Sequence, residues 1–198
     1  MSAALKWNLV SVEDYLANEL ASPTKHEYVG GVVYAMAGAC IKHNRIAGNI
    51  FAAMYNRLDG KTCEVFNSDQ KIRIRMKKQT RFYYPEVSII CRSNPEDEQF
   101  QDEPVTIFET LSASTRRADE GEKKDGYLSI PSLKHYVLVE QDVPVVVVFR
   151  RKGRTFVREV YDGLDAVVPL PEIGIELPLA EVCKRVAFPL EPADQDET

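Results

Sequence analysis

The sequence predicts an α/β (α+β) fold, and three observations carry that prediction. Two windows repeat apolar residues at helical intervals, several short runs are rich in β-branched and aromatic residues, and glycine-containing turns separate those runs. The first helix starts at Ser11, where serine followed three residues later by Asp14 has the spacing of an N-cap with an acidic partner. Val12, Tyr15, Leu16 and Leu20 recur behind it. HEYVGGVVYAM, from His26 to Met36, reads as a hairpin turning at Gly30-Gly31, where a positive φ costs glycine little. Ile41 to Leu58 is the first long helix, with Ala47, Ile50, Phe51, Met54 and Leu58 as its apolar stripe and Gly60 just past its end as a left-handed cap.

Lys71 to Lys77, KIRIRMK, alternates basic and apolar residues. As a strand it buries Ile72, Ile74 and Met76 and turns Lys71, Arg73 and Arg75 outward as a cationic face. Strands follow at Phe82–Cys91 and Val105–Ser112, and the acidic stretch NPEDEQFQDEP between them reads as a mobile, solvated loop outside any site. Ser114 or Thr115 caps a helix over Arg116 to Ser129, which must stop before Pro131. His135–Glu140, Val145–Arg151 and Thr155–Tyr161 are strands, the last two joined as a hairpin at Lys152-Gly153. A weak strand or two and a short helix near Leu179–Lys184 complete the fold. Residues 1–188 are read as one domain and 189–198 as a tail too polar to order itself.

With 198 residues and 44% hydrophobic content the chain can bury a sizeable core. Cys40, Cys63, Cys91 and Cys183 stand far apart with no CxxC pair, so the expectation is buried thiols in a reducing compartment, with neither a zinc site nor a disulfide framework. The first residues lack a basic segment followed by an apolar core, and no apolar run approaches the roughly 20 residues that span a bilayer, so a cytoplasmic location and no membrane partner are expected. A net charge of −5 argues against a protein that coats nucleic acid. It leaves a nuclease open, because carboxylates gathered for a divalent cation look acidic before the metal is counted.

Two carboxylates lie inside apolar strands: Glu86 in YYPEVSII and Glu109 in VTIFETLS. An unpaired buried carboxylate is expensive, so each needs a cation, a hydrogen-bond network or a metal. Neighbouring strands would bring both to one hard divalent ion, with a backbone carbonyl such as that of Thr110. The competing reading is a structural ion pair with Arg73 or Arg75. Asp119, Lys123 and Tyr127 share one face of the helix at i, i+4 spacing, which aims an ammonium at the sheet edge, although a lysine among charged helix residues is usually solvated. Glu27 either joins such a site, pairs with Lys25 or caps backbone amides. His43, with no second histidine near, reads as a local hydrogen-bonding group. Arg116 and Arg117 at a helix start offer phosphate contacts, while Arg150, Arg151, Lys152 and Arg154 read as hairpin-edge charges that discourage edge pairing.

The order HEYVGGVVYAM, a helix opening with His43, YYPEVSII, FETLSASTRRADEGEKKDGY and SLKHYVLVEQ resembles the Uma2 (DUF820) family of restriction-endonuclease relatives, within the PD-(D/E)XK nuclease superfamily, over nearly the whole chain. The segment from Glu109 to Tyr127 is its most specific part. The resemblance implies a restriction endonuclease-like fold, a mixed central sheet flanked by helices with a C-terminal β-hairpin region. It implies hydrolysis of DNA phosphodiester bonds with Mg2+ (or Mn2+), by a homodimer whose symmetry matches that of the duplex. It assigns Glu86 to the aspartate position of a Pro-Asp motif, Glu109 to the glutamate of Glu-x-Leu-Ser, the catalytic lysine to Lys123 and a further metal contact to Glu27, with Asp69 of the Ser-Asp pattern as an outlying addition. Two departures stand out. Pro85-Glu86 replaces Pro-Asp, and the extra methylene moves the carboxylate by on the order of 1.5 Å. Leu111 occupies the place of the superfamily's usual lysine. Both favour the alternative, an inactive nuclease-fold module that binds nucleic acid or a protein partner.

Overall fold

Ser11 caps the first helix as its spacing predicts, its hydroxyl accepting from the Asp14 backbone N–H. From there the computed structural model, which describes residues 9–188, runs α1 (Val12–Ala21), β1 (His26–Val29), β2 (Val32–Ala35), α2 (Ile41–Leu58), β3 (Glu64–Asn67), β4 (Lys71–Arg75), β5 (Thr80–Tyr83) and β6 (Val87–Ile90). Then come β7 (Phe100–Gln101), β8 (Pro104–Leu111), α3 (Arg116–Asp119), α4 (Glu122–Leu128), β9 (His135–Glu140), β10 (Val145–Lys152), β11 (Thr155–Asp162), β12 (Val167–Leu170), a 3-10 turn (Pro171–Ile173), β13 (Ile175–Pro178) and α5 (Leu179–Val182). The polar tail expected at 189–198 and the amino-terminal residues 1–8 lie outside the described residues. Among the described residues no helix is long and apolar enough to cross a membrane.

The strands form a six-stranded sheet in the order β11-β10-β9-β8-β6-β3, a five-stranded sheet in the order β2-β1-β5-β4-β7, and the pair β12-β13. β8 and β9 run parallel while β6 and β8 run antiparallel, so the larger sheet is mixed, as expected. One of its faces is covered by α2, whose Ile46, Ile50 and Met54 pack with Val87, Phe108, Val137 and Val148 and with Val168, Leu170 and Leu179 of the C-terminal region. Each such fully buried side chain contributes about 1.5–3 kcal/mol. The other face packs Ile107, Leu111, Tyr136 and Leu138 against Ile72, Ile74 and Tyr83 of the smaller sheet and Tyr127 of α4. The hairpin β1–β2 turns at Gly30 and Gly31, with φ of 56° and 104°.

Several expectations fail for local reasons. The strand expected over Phe82–Cys91 is two strands in different sheets, because Pro85, which has no N–H to give to a ladder, breaks it between Tyr83 and Val87. Glu86 therefore sits where the chain crosses between sheets. The helix expected over Arg116–Ser129 breaks at Gly121, where an added Cβ would stand 2.7 Å from the Arg117 carbonyl oxygen. The acidic stretch expected as a mobile loop contributes β7, parallel to β4, with Phe100 buried and Asp102 held by Arg73 at 2.7 and 2.6 Å. Lys71 is not outward; it is buried over the rings of Tyr15 and Tyr84. Leu20, expected on the apolar stripe of α1, is exposed. Arg150 and Arg151 are not edge charges either: Arg150 is buried against Glu159, and Arg151 donates to the carbonyls of Leu128, Ile130 and Leu133.

Two of the four cysteines are not the free thiols expected. Cys63 and Cys91 form a disulfide across a sequence separation of 28. The antiparallel register pairs Glu64 with Ile90, so the next residues out, Cys63 and Cys91, face each other at the end of the β3–β6 ladder. Cys40 is exposed, and only Cys183 is the buried thiol expected, its pKa pushed up by burial to about 11.

Candidate active site

Glu109 lies near the C-terminal end of β8, next to the apolar Phe108 and two residues before Leu111, and is 3% exposed. Val87 pairs with Phe108, so the residue before β6, Glu86, comes to lie beside Glu109, and its backbone N–H points at Glu109 Oε2 at 3.4 Å. The Tyr127 hydroxyl from α4 donates to the other oxygen at 3.3 Å. A cavity of about 520 Å3 opens here between β1–β2, the start of α2, the end of β8 and α3–α4. Glu27, Glu86, Glu109, Asp119, Lys123 and His43 all line it.

Lys123 reaches this cavity from the first turn of α4. Its Nζ lies 2.7 Å from Glu27 Oε1, 3.6 Å from Asp119 Oδ1 and 4.0 Å from Glu109 Oε1. Burial works against its charge, but Glu109, Glu27 and Asp119 together outweigh that and hold its pKa above the ordinary lysine value. Lys123 is therefore an ammonium. Burial also raises Glu109 well above the usual carboxylate range; Lys123 opposes this, while Asp119, Glu86 and Glu27 add to it. Asp119 is raised likewise, by burial first, against Lys123 and a hydrogen bond from Thr115. The Glu86 side chain reaches α2: its Oε1 lies 2.8 Å from His43 Nε2, and it is the more exposed of the two side chains at 25% against 6%.

Thus Glu86, Glu109, Lys123 and Glu27, separated by up to 96 positions in the numbering, meet in one cavity. The competing ion pairs are not made: Arg73 serves Asp102, and Lys25 serves Asp69, which is exposed. Arg116 is engaged in a two-pronged pair with Glu140 at 2.7 and 2.5 Å, which holds its pKa above the usual arginine value, and Arg117 is exposed on α3. Asp119 and His43 are members that the sequence alone does not place in the site. The i, i+4 spacing of Asp119 to Lys123 is the signal for the first, and His43 does bond locally, but to a cavity carboxylate.

The donor set suits a hard cation by its chemistry, since it sets four carboxylates against one ammonium. Among the described residues no three acidic, histidine or cysteine side chains surround one point at metal-binding distance. The Lys123 ammonium stands among Glu27, Asp119 and Glu109 instead.

Residues 12–180 match the model of the family Uma2, described as "Putative restriction endonuclease". The chain is 32% identical over 183 residues to "Uncharacterized protein slr1290" of Synechocystis sp., covering 90% of this chain and 94% of that one. It is 29% identical over 140 residues to "Uncharacterized protein sll1609" of the same organism, covering 67% and 76%. Among solved structures, one from Anabaena variabilis described as "a putative nuclease belonging to DUF820" shares the fold with a TM-score of 0.67, at 18% identity over 87% of this chain and 97% of that chain.

Proposed function

This chain belongs to the Uma2 family, and on that premise we propose that it is a metal-dependent endonuclease that hydrolyses DNA phosphodiester bonds. The observation that carries the reading is the meeting of Glu86, Glu109 and Lys123 in one cavity, with Glu86 and Glu109 side by side across the β6–β8 register. Glu86 and Glu109 would hold Mg2+ (or Mn2+), with Glu27 as a further oxygen ligand. The ion would supply a Lewis acid for a phosphate oxygen and a more acidic bound water. Lys123, an ammonium among carboxylates, donates to the phosphate and offsets the negative charge that builds on phosphorus. Tyr127 fixes the orientation of Glu109, and His43 that of Glu86. Cutting both strands of a duplex with one such site per chain calls for a two-fold homodimer.

One observation favours the alternative, a nuclease-fold module that binds nucleic acid or a protein partner without cutting it. The longer side chain at Glu86 is committed to His43 at 2.8 Å. Incubation of supercoiled and linear DNA with Mg2+ or Mn2+ separates the two readings. A metal-dependent cut by the native protein, lost in both Glu86→Gln and Glu109→Gln at matched folding, is the expected result. No cut by the native protein, or a cut that survives both substitutions, rejects the enzyme.

A further inference from the structure

The cavity has a second wall. It includes the first turn of α2, whose His43 bonds Glu86; α2 is an 18-residue helix whose N-cap, Cys40, makes no side-chain capping hydrogen bond and whose first turn has no acidic residue. The first N–H groups of a helix have no intrahelical acceptor, and here they carry the positive end of a long helix dipole. Ala37, Gly38 and Ala39, which lead into that turn and line the cavity, have no bulk to cover it.

An independent observation lies on β8. Thr110 is 1% exposed and lines the same cavity, and its Oγ1 is buried without a hydrogen-bond partner. Phe108, two residues earlier, packs among Ile46 and Ile50 of α2. Strand alternation puts the Thr110 side chain on that same face, one step nearer the start of the helix. A buried hydroxyl left without a partner is costly, and such groups call for an explanation in a ligand or a water.

We propose that the Thr110 hydroxyl and the first-turn amides of α2 form an anion subsite for a phosphate of the substrate strand next to the one attacked. The subsite rests on the nuclease reading above and adds to it how the strand is positioned. It supplies neutral donors in place of Arg116, which is held by Glu140. A helix end of this kind binds phosphate by its backbone and its dipole.

The test measures affinity for a fluorescein-labelled DNA duplex of about 20 base pairs, with Ca2+ present to occupy the carboxylate wall, alongside thermal stability. Cys40→Asn supplies a neutral cap that occupies the same amides. It is expected to raise the melting temperature by about 2–4 °C and to weaken DNA binding about ten-fold. Thr110→Val keeps the shape and the backbone carbonyl and removes only the hydroxyl; an affinity loss of about three- to ten-fold is expected. A stabilised Cys40→Asn protein with unchanged affinity would overturn the subsite, as would a Thr110→Val protein that binds like the native one. If the native protein itself binds no DNA, the nuclease reading fails first and the subsite with it, a result distinct from the other two.

Discussion

Two buried charge clusters sit only three residues apart along β8. Thr106, near its start, bonds His135 Nδ1 at 3.0 Å, and His135, Arg150, Glu159 and Glu172 form a network there; Glu109, near its end, enters the cavity. In the first cluster two carboxylates meet a guanidinium and an imidazole. Arg150 donates to both oxygens of Glu159 at 3.0 Å and to the Pro169 carbonyl at 2.8 Å. In the second, four carboxylates meet one ammonium and the His43 imidazole. Counting full cations only, the first sets two carboxylates against one guanidinium and the second four against one ammonium. The second also lines a cavity, and its larger excess of carboxylates is what a ligand bringing positive charge would offset.

The largest expected effect breaks the cavity without breaking the fold. Glu109→Gln removes one of the excess carboxylates, so cleavage should fall by at least about a thousand-fold while the melting temperature holds or rises. Parallel assays of DNA cleavage and thermal unfolding check both halves. The mirror experiment is Arg150→Ala, which leaves Glu159 and Glu172 without their cation in a site where the arginine is 4% exposed. It should cost about 3–5 kcal/mol in denaturant unfolding.

The disulfide sharpens the comparison from outside both clusters. It ties the edge strand β3 to β6, the strand that Glu86 precedes, so Cys63→Ser with Cys91→Ser should lower stability by about 3–4 kcal/mol for a closed loop of this length. Chemical denaturation with and without reductant measures it, and unreacted thiols in the unfolded native protein would show that the bond is not formed.

His135 gives the structural cluster a pH signature. Burial first, with Arg150 adding to it against the pull of Glu172, holds its pKa down at about 4 from an ordinary 6.5. A base whose folded pKa is depressed binds fewer protons folded than unfolded between those two values. Stability is therefore full above about pH 6.5 and declines as the pH falls toward 4, by on the order of 3 kcal/mol. Unfolding free energies from pH 7 to 4.5 should slope accordingly, and His135→Asn should flatten the slope.

Much of this architecture is legible in the sequence. α2 and the β1–β2 hairpin are readable because period and turn chemistry agree over Ile41–Leu58 and at Gly30-Gly31. Glu86 and Glu109 are readable because a carboxylate in an apolar strand is out of place. The break at Pro85 is hidden because apolar residues continue on both sides of it, and β7 because Phe100 is a lone apolar residue in an acidic stretch. The disulfide is hidden because only the β3–β6 register brings together residues so far apart. Asp119 joins the site at its i, i+4 spacing to Lys123 across the break at Gly121, and His43 through its bond to Glu86, which spacing alone does not display.

The central claim is that the carboxylate wall holds a divalent cation, and calorimetric titration of the native protein and Glu109→Gln with Mn2+ tests it most directly. The expected result is binding of one ion per chain by the native protein and its loss, or a weakening of about a hundred-fold or more, in the variant. A native protein that takes up no Mn2+, or a variant that binds it equally well, would contradict it.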